Sequence, residues 1–263
     1  MNKESLLRKS EFERLRVVLV NTRNPLNIGA AARAMSNFGF SHLRVVNPFE
    51  LAFREARSAV GAARLVEQAE EFKSLAEAIG DCSLVVGTTA LSQRDPQHKV
   101  RDLQQGARLI RKRLGTGRVA ILFGSEKRGL SNEELSHCHW LLRIPTREEH
   151  RSMNLGQAVA VCLYELARDS TSASAVEKSA LATSGDLERL TSLLLDTLQA
   201  SGYLKPETSR VNQRRSAAPP DEKIRRLIRR LNLSAEDAQL LLGMLRQILR
   251  ELDATKQGIT KKR

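Results

Sequence analysis

Five short apolar runs recur through the first 168 residues of this chain: Arg16–Val20, Leu43–Val46, Leu84–Thr88, Val119–Phe123 and Trp140–Ile144. Each is rich in Val, Leu and Ile without polar alternation, the pattern of strands buried on both faces. Between them lie stretches with helical spacing, Ile28–Phe38 closed by Gly39, Ser74–Ile79 closed by Gly80 and Leu103–Leu114 closed by Gly115. Glycine suits a helix C-terminus in each case. Ser131 and Glu134 have the spacing of a capping box, and Asn154–Arg168 reads as a last long helix. Strand and helix in alternation predict a parallel sheet flanked by helices, an α/β fold.

The pattern then changes. Asp169–Asp186 is dominated by Ser, Ala and Thr and reads as a flexible linker. Beyond it, Leu187, Leu190, Leu194 and Leu198 mark one amphipathic helix, Ile224, Leu227, Ile228 and Leu231 a second, and Leu241, Leu245, Ile248 and Leu252 a third. The expected organisation is an α/β domain at 1–168, a linker at 169–186 and a small all-α domain at 187–263. A chain of 263 residues has room for one large core and one small one.

Charge is concentrated in that tail. The whole chain carries 43 Lys and Arg against 30 acids, and Lys205–Arg263 alone has 15 bases against 7 acids. Arg225, Arg226, Arg229 and Arg230 fall off the apolar stripe of the second helix and predict an exposed basic ridge. Joined by Lys205, Arg210, Arg214 and Arg215, it would suit nucleic-acid phosphates. A solvated helix face is the plain alternative. Aromatic residues make up only 4% of the chain, which disfavours base-stacking platforms and favours backbone and shape contacts. No apolar run approaches the roughly 20 residues of a membrane span. The segment Met1–Arg16 is charged and lacks a secretory apolar stretch, so a cytoplasmic protein is expected. Cys82, Cys138 and Cys162 are isolated in apolar surroundings and read as buried thiols.

Three polar signatures stand where apolar runs give way to loops or helix starts: Asn27-Ile28-Gly29-Ala30-Ala31-Ala32-Arg33, Phe123-Gly124-Ser125-Glu126-Lys127-Arg128-Gly129-Leu130, and Ser152-Met153-Asn154-Leu155. Open α/β sheets bind ligands at such strand ends. Gly124–Gly129 has the spacing of a phosphate loop, but Leu130 stands where that loop needs Lys. No G-x-G-x-x-G follows a predicted strand, no His-rich or carboxylate-rich cluster suggests a metal, and no G-x-S-x-G elbow suggests a catalytic triad. What remains is Gly, Asn, Ser, Thr and backbone, with one Arg and one Glu. Such a set can grip an adenosine-like ligand through backbone hydrogen bonds. Taken singly, Asn27 could cap a helix ahead of Ile28, Ser152 could cap the last helix, Arg33 could lie on a solvated face, and Glu126 could pair with Lys127 or Arg128.

The ordered motifs resemble those of the SPOUT methyltransferases, in the TrmH/TrmJ branch that methylates ribose 2′-hydroxyls of RNA, over most of Arg16–Arg168. The tail, from Leu187-Glu188-Arg189-Leu190 through Gly202-Tyr203 to Gly243-Met244-Leu245-Arg246, resembles the C-terminal helical domain of the tRNA-acting bacterial members. The resemblance implies S-adenosylmethionine held in a C-terminal trefoil knot, a homodimer, and a tRNA cytidine or uridine at the 5′ start of the anticodon loop as acceptor. The tRNA D-loop, ribosomal RNA and a catalytically inactive RNA-binding module are the alternatives; DNA is not an expected partner. It further implies that Thr88, Thr89, Ala90, Gly124, Gly129, Ile144, Arg151, Ser152, Met153 and Leu155 bind the cofactor. Asn27, Arg33, Glu126 and Asn154 would face the transfer site. One departure stands out: several relatives carry Arg soon after the equivalent of Thr88-Thr89-Ala90, where this chain has Leu91 and reaches Arg94 only later.

The implied chemistry is modest, because a sulfonium already activates the methyl group and the protein mainly aligns the acceptor. A guanidinium stays protonated, so Arg33 is expected to clamp a phosphate and steady developing charge, with a phosphate oxygen or Glu126 taking the proton. The last long helix, through Ala158, Val161, Cys162 and Glu165, is a candidate dimer face; core packing is its alternative.

Overall fold

The computed structural model describes residues 11–48, 63–90, 97–150, 152–168, 180–204 and 219–260. Its strands are β1 Leu15–Val20, β2 Leu43–Val46, β3 Glu70–Phe72, β4 Leu84–Thr88, β5 Val100–Asp102, β6 Val119–Phe123 and β7 Trp140–Arg143. Its helices are α1 Pro25–Phe38, α2 Ala63–Glu67, α3 Leu75–Ile79, α4 Leu103–Leu114, α5 Asn132–Ser136, α6 Leu155–Arg168, α7 Ser184–Ala200, α8 Pro220–Arg230 and α9 Ala235–Thr260. The strands make one parallel sheet in the order β3-β2-β1-β6-β4-β7-β5.

The five apolar runs are the five inner strands, with Ile144 just past the end of β7. Their side chains alternate between two cores. Val17, Leu19, Val86, Ile121, Phe123 and Leu142 pack on one face with α1, α2, α4 and α6. Val18, Val20, Val85, Ala120, Leu122 and Leu141 pack on the other with α3 and with Leu130, Leu135 and Cys138. The sequence reading missed β3 and β5, which are three-residue edge strands, Glu-Glu-Phe and Val-Arg-Asp. Buried on neither face, they carry no apolar run to detect.

The start of α1 lies earlier than its spacing predicts. Asn24 is the N-cap, accepting from the Leu26 N–H at 2.9 Å, and Pro25 takes the first helical position, where its missing N–H costs nothing. Asn27 is therefore not the cap. Gly39 closes α1 at φ 80°, a left-handed stop, whereas Gly80 and Gly115 end their helices in right-handed conformation. The Ser131–Glu134 capping box at α5 is present as predicted.

From β7 the chain crosses the carboxyl ends of β4 and β6 to bring α6 beside α1. The two helices run in the same direction: Gly156 abuts Ala30 so closely that a Cβ would lie 2.5 Å from the alanine's, and Phe38 meets Tyr164 edge-on at 6.0 Å. Along the candidate dimer stripe, two residues are buried within the chain and two keep partial exposure. Cys162 lies in the core, Ala158 and Val161 pack against it, and the buried Glu165 pairs with Arg168 at 2.8 Å. All three cysteines are free and buried, and burial pushes the thiols of Cys138 and Cys162 up to about 12.

The tail has its own small core of Ala182, Leu187, Leu190, Ile228, Ala238 and Leu242. Two expectations about it are corrected. The linker does not extend to Asp186: Thr183 and Asp186 form the capping box of α7, and the N–H groups of Ser184 and Gly185 donate to Cys82 O and Gly80 O at 2.8 and 2.9 Å. Residues 180–186 thus dock the tail against the turn after α3, while 169–179 lie outside the described residues.

The basic ridge is not a ridge either. Arg229 is 1% exposed and donates to the Ser184 hydroxyl at 2.8 Å and to Glu188; Arg225 pairs with Glu188 at 3.0 Å and bonds Ser136 of α5; Arg226 is buried beside Glu222. Only Arg230 is exposed, together with Leu227 and Leu231. The apolar pattern misled because long arginine stems can line a buried seam when a carboxylate meets their heads. Lys205, Arg210, Arg214 and Arg215 lie outside the described residues. No helix among the described residues is long and apolar enough to cross a membrane.

Candidate active site

Three loops meet above the carboxyl ends of β1, β6, β4 and β7, and each carries one of the polar signatures. The first is the entry to α1, where Asn27 sits in the opening turn, 7% exposed. The second follows β6. Here the Gly129 N–H donates to Ser125 O at 2.8 Å, closing a turn over Ser125–Gly129. Gly129 has φ 66°, and a Cβ on Gly124 would lie 2.1 Å from the Gly129 carbonyl carbon. Backbone on both sides cannot yield, so Gly124 must be glycine for the turn to close. The third is the approach to α6, where the Asn154 side chain accepts from the N–H groups of Gly156 and Gln157 at 2.9 and 3.3 Å. Asn154, not Ser152, caps α6.

One chain of hydrogen bonds ties the three loops together. Asn154 Nδ2 donates to Asn27 Oδ1 at 2.9 Å, and Asn27 Nδ2 donates to Glu126 Oε1 at 3.0 Å. Glu126 also accepts from the N–H groups of Asn24 and Arg23 at 3.2 and 3.3 Å. Every link has a fixed direction. The Asn154 oxygen is taken by the two N–H groups at the start of α6, so its amide nitrogen faces Asn27. The Asn27 oxygen must then accept and its nitrogen must donate, and the Glu126 carboxyl group receives that bond. Burial opposes charge on Glu126, but the Asn27 amide and the backbone N–H groups outweigh it and hold the carboxyl below the usual glutamate range.

Of the residues singled out in the sequence, Asn27, Glu126 and Asn154 are brought together. Arg33 is not in this network. It lies six residues beyond Asn27, about 9 Å along the helix axis, exposed and without a hydrogen-bond or ion-pair partner among the described residues.

The predicted cradle residues ring the same strand ends. The Thr88 hydroxyl donates to Leu122 O at 2.8 Å, bracing β4 against β6, and the Thr89 N–H donates to Leu142 O at 3.0 Å, bracing β4 against β7. Ala90 follows them, Ile144 packs at the edge of the core, and Leu155 is buried in it. Ser152 is exposed and Met153 half-buried; Arg151, Leu91 and Arg94 lie outside the described residues.

The sequence reading missed Asn21 and Asn24, and it gave Glu134 only a capping role. Asn21 adopts φ 54° at the end of β1, and its amide donates to Glu134 of the α5 capping box at 2.7 Å. Asn-Pro ahead of a helical stretch was the available signal for Asn24.

A parallel sheet with a glycine-closed turn and an asparagine relay at its central strand ends defines an α/β protein with a ligand site at the sheet's carboxyl edge. The chain belongs to the SpoU rRNA methylase family, whose model matches residues 14–164, and is a methyltransferase. It is 34% identical over 240 residues to the tRNA (cytidine/uridine-2′-O-)-methyltransferase TrmJ of Sodalis glossinidius, covering 89% of this chain and 91% of that protein. It is 34% identical over 265 residues to the tRNA (cytidine/uridine/adenosine-2′-O-)-methyltransferase TrmJ of Pseudomonas aeruginosa, covering 96% and 98%. The crystal structure of TrmJ from Z. mobilis ZM4 superposes with a TM-score of 0.74 at 30% identity, covering 89% of this chain and 98% of that one.

Proposed function

We propose that the protein transfers a methyl group from S-adenosylmethionine to the ribose 2′-hydroxyl of a cytidine or uridine in tRNA, at the 5′ start of the anticodon loop. The relay Glu126–Asn27–Asn154 carries this reading. It fixes three loops, far apart in sequence, around one point at the strand ends, and the TrmJ proteins named above, similar over nearly the whole chain, act on tRNA riboses.

The residues present suit such a cofactor. Gly124 admits no side chain, and the position a Cβ would take at Gly129 has nothing within 4 Å, so the turn presents bare backbone to a ligand. Thr88, Thr89, Ala90, Gly124, Gly129, Ile144, Arg151, Ser152, Met153 and Leu155 would hold it. When bound, the cofactor supplies a methyl group already activated by its sulfonium. The protein's own share is alignment and exclusion of water. Asn27 and Asn154 orient the acceptor side of the site, while Arg33, exposed and unpaired, holds an RNA phosphate and steadies charge developing on the ribose oxygen. The same reading includes a trefoil knot in the crossing after β7 and a homodimer.

Unmodified tRNA and labelled S-adenosylmethionine should yield a 2′-O-methylated cytidine or uridine, located by nuclease mapping. A label in the D-loop or in ribosomal RNA would move the acceptor; no transfer to any RNA would overturn the reading. A monomeric mass by light scattering would remove the dimer.

A further inference from the structure

We propose that the tip of the Ser125–Gly129 turn, Lys127 and Arg128, together with Arg23, forms a clamp for RNA phosphates beside the transfer site, one that sets affinity for RNA rather than the rate of transfer. The inference rests on the proposed RNA substrate.

The turn divides its residues by direction. Glu126, itself exposed, turns its carboxylate to Asn27 and the N–H groups of Asn24 and Arg23. The next two residues, Lys127 and Arg128, stand at the tip and are exposed. Across from them Arg23 is also exposed, its own N–H 3.3 Å from the Glu126 carboxylate. Three exposed cations therefore border this turn: two follow Glu126 directly in the chain, and the third belongs to a residue whose backbone N–H meets the Glu126 carboxylate. None of the three has an ion-pair partner among the described residues.

The tip is also held in place. Gly124 packs against the Gly129–Leu130 backbone, Leu130 is buried in the core, and the Gly129 N–H closes the turn. A rigid cationic tip loses little freedom on meeting a polyanion, and each phosphate it neutralises releases counterions. Through Glu126 and Asn27 it is also one side chain away from the relay. Arg225, Arg226 and Arg229, which the sequence offered for this task, are turned into contacts with α5, α7 and Glu222, whereas the turn tip is exposed beside the relay.

The test uses the full-length protein carrying Lys127→Ala with Arg128→Ala, and separately Arg23→Ala. Filter binding to unmodified tRNA across a salt series is run beside steady-state methyl transfer and calorimetric titration with S-adenosylmethionine. The double variant should bind tRNA at least tenfold more weakly, with the slope of log affinity against log salt shallower by about two, one per lost phosphate contact. KM for tRNA should rise in step, kcat at saturating tRNA should stay within twofold, and cofactor affinity should not move. Lys127→Arg with Arg128→Lys should restore binding, and Arg108→Ala on α4 should behave as wild type. Unchanged tRNA affinity and salt slope, or a fall in kcat at constant KM, overturns the clamp. Wild type that binds tRNA but transfers no methyl overturns the proposed function alone, and the binding series then decides the clamp. Wild type that binds no RNA overturns both.

Discussion

Glu188 meets two arginines, the buried Arg229 and the half-buried Arg225, in the seam between the tail and the α/β domain, and its removal should be costly. It pairs with Arg225 at 3.0 Å and Arg229 at 3.4 Å, and lies 3.6 Å from His137 Nδ1. Arg229 is 1% exposed; burial pushes its guanidinium down to about 10, partly offset by Glu188, so it stays charged at neutral pH. Glu188→Gln would leave two desolvated cations without a counter-charge. Breaking a buried pair costs about 3–5 kcal/mol. Glu188 keeps a quarter of its side chain in water, and Ser184 still accepts from Arg229, so the lower end applies, about 3 kcal/mol. At roughly 2–4 °C per kcal/mol for a chain of this size, Tm should fall by about 6–12 °C. Arg230→Ala, on the exposed side of the same helix, should shift stability by no more than about 0.5 kcal/mol. Thermal and denaturant unfolding measure both variants, and a double-mutant cycle with Arg225→Met isolates the pair. A Glu188→Gln variant within about 1 kcal/mol of wild type would show that the seam does not depend on this charge and would refute the reasoning.

Other perturbations give sharp outcomes. Gly124→Ala should abolish calorimetric binding of S-adenosylmethionine and destabilise by at least about 1–3 kcal/mol, because the added methyl meets backbone that cannot step aside; normal cofactor affinity would contradict the turn geometry. Stability should also fall on acidification. Burial, with nearby arginines adding to it, pushes His98 and His137 down to about 4 and His139 to about 3. The folded protein therefore binds fewer protons than the unfolded chain between those values and about 6.5. The contribution is complete above that window and is lost as pH drops through it, on the order of 3 kcal/mol for His137 alone. Denaturant midpoints that are flat from pH 7 to pH 4.5 would contradict these environments.

What the sequence disclosed, and what it hid, follows from where each residue's partners lie. The inner strands were legible because burial on both faces leaves an unbroken apolar run. β3 and β5 were not, since an edge strand of Glu70-Glu71-Phe72 or Val100-Arg101-Asp102 is fixed by its neighbour's backbone rather than by its own side chains. Asn27, Glu126 and Asn154 were found as motif members, yet their mutual bonds span about a hundred residues and no local pattern encodes them. The tail arginines show the converse failure. Helical spacing separates charged from apolar positions but cannot say which side a buried carboxylate will claim, and Glu188 on a different helix reversed the reading.

The relay also bears on which group takes the ribose proton. A general base needs a free lone pair within reach of its proton and typically contributes 10²–10⁴-fold. The Glu126 carboxylate already accepts from one amide and two backbone N–H groups and is held below the usual range, so it is a weak base with most of its acceptor capacity engaged. Its work is to orient Asn27 and pin the entry of α1. The two roles separate experimentally through Glu126→Gln. If Glu126 were the base, the variant should lose turnover with stability unchanged or raised, since removing a charge from a functional site relieves strain. If it is the brace, the variant leaves the N–H groups of Arg23 and Asn24 facing an amide. Turnover then falls together with about 1–3 kcal/mol of stability in the ligand-free protein, as expected when donors lose a charged acceptor. A variant that loses turnover while its unfolding curve overlays that of wild type would return the proton to Glu126.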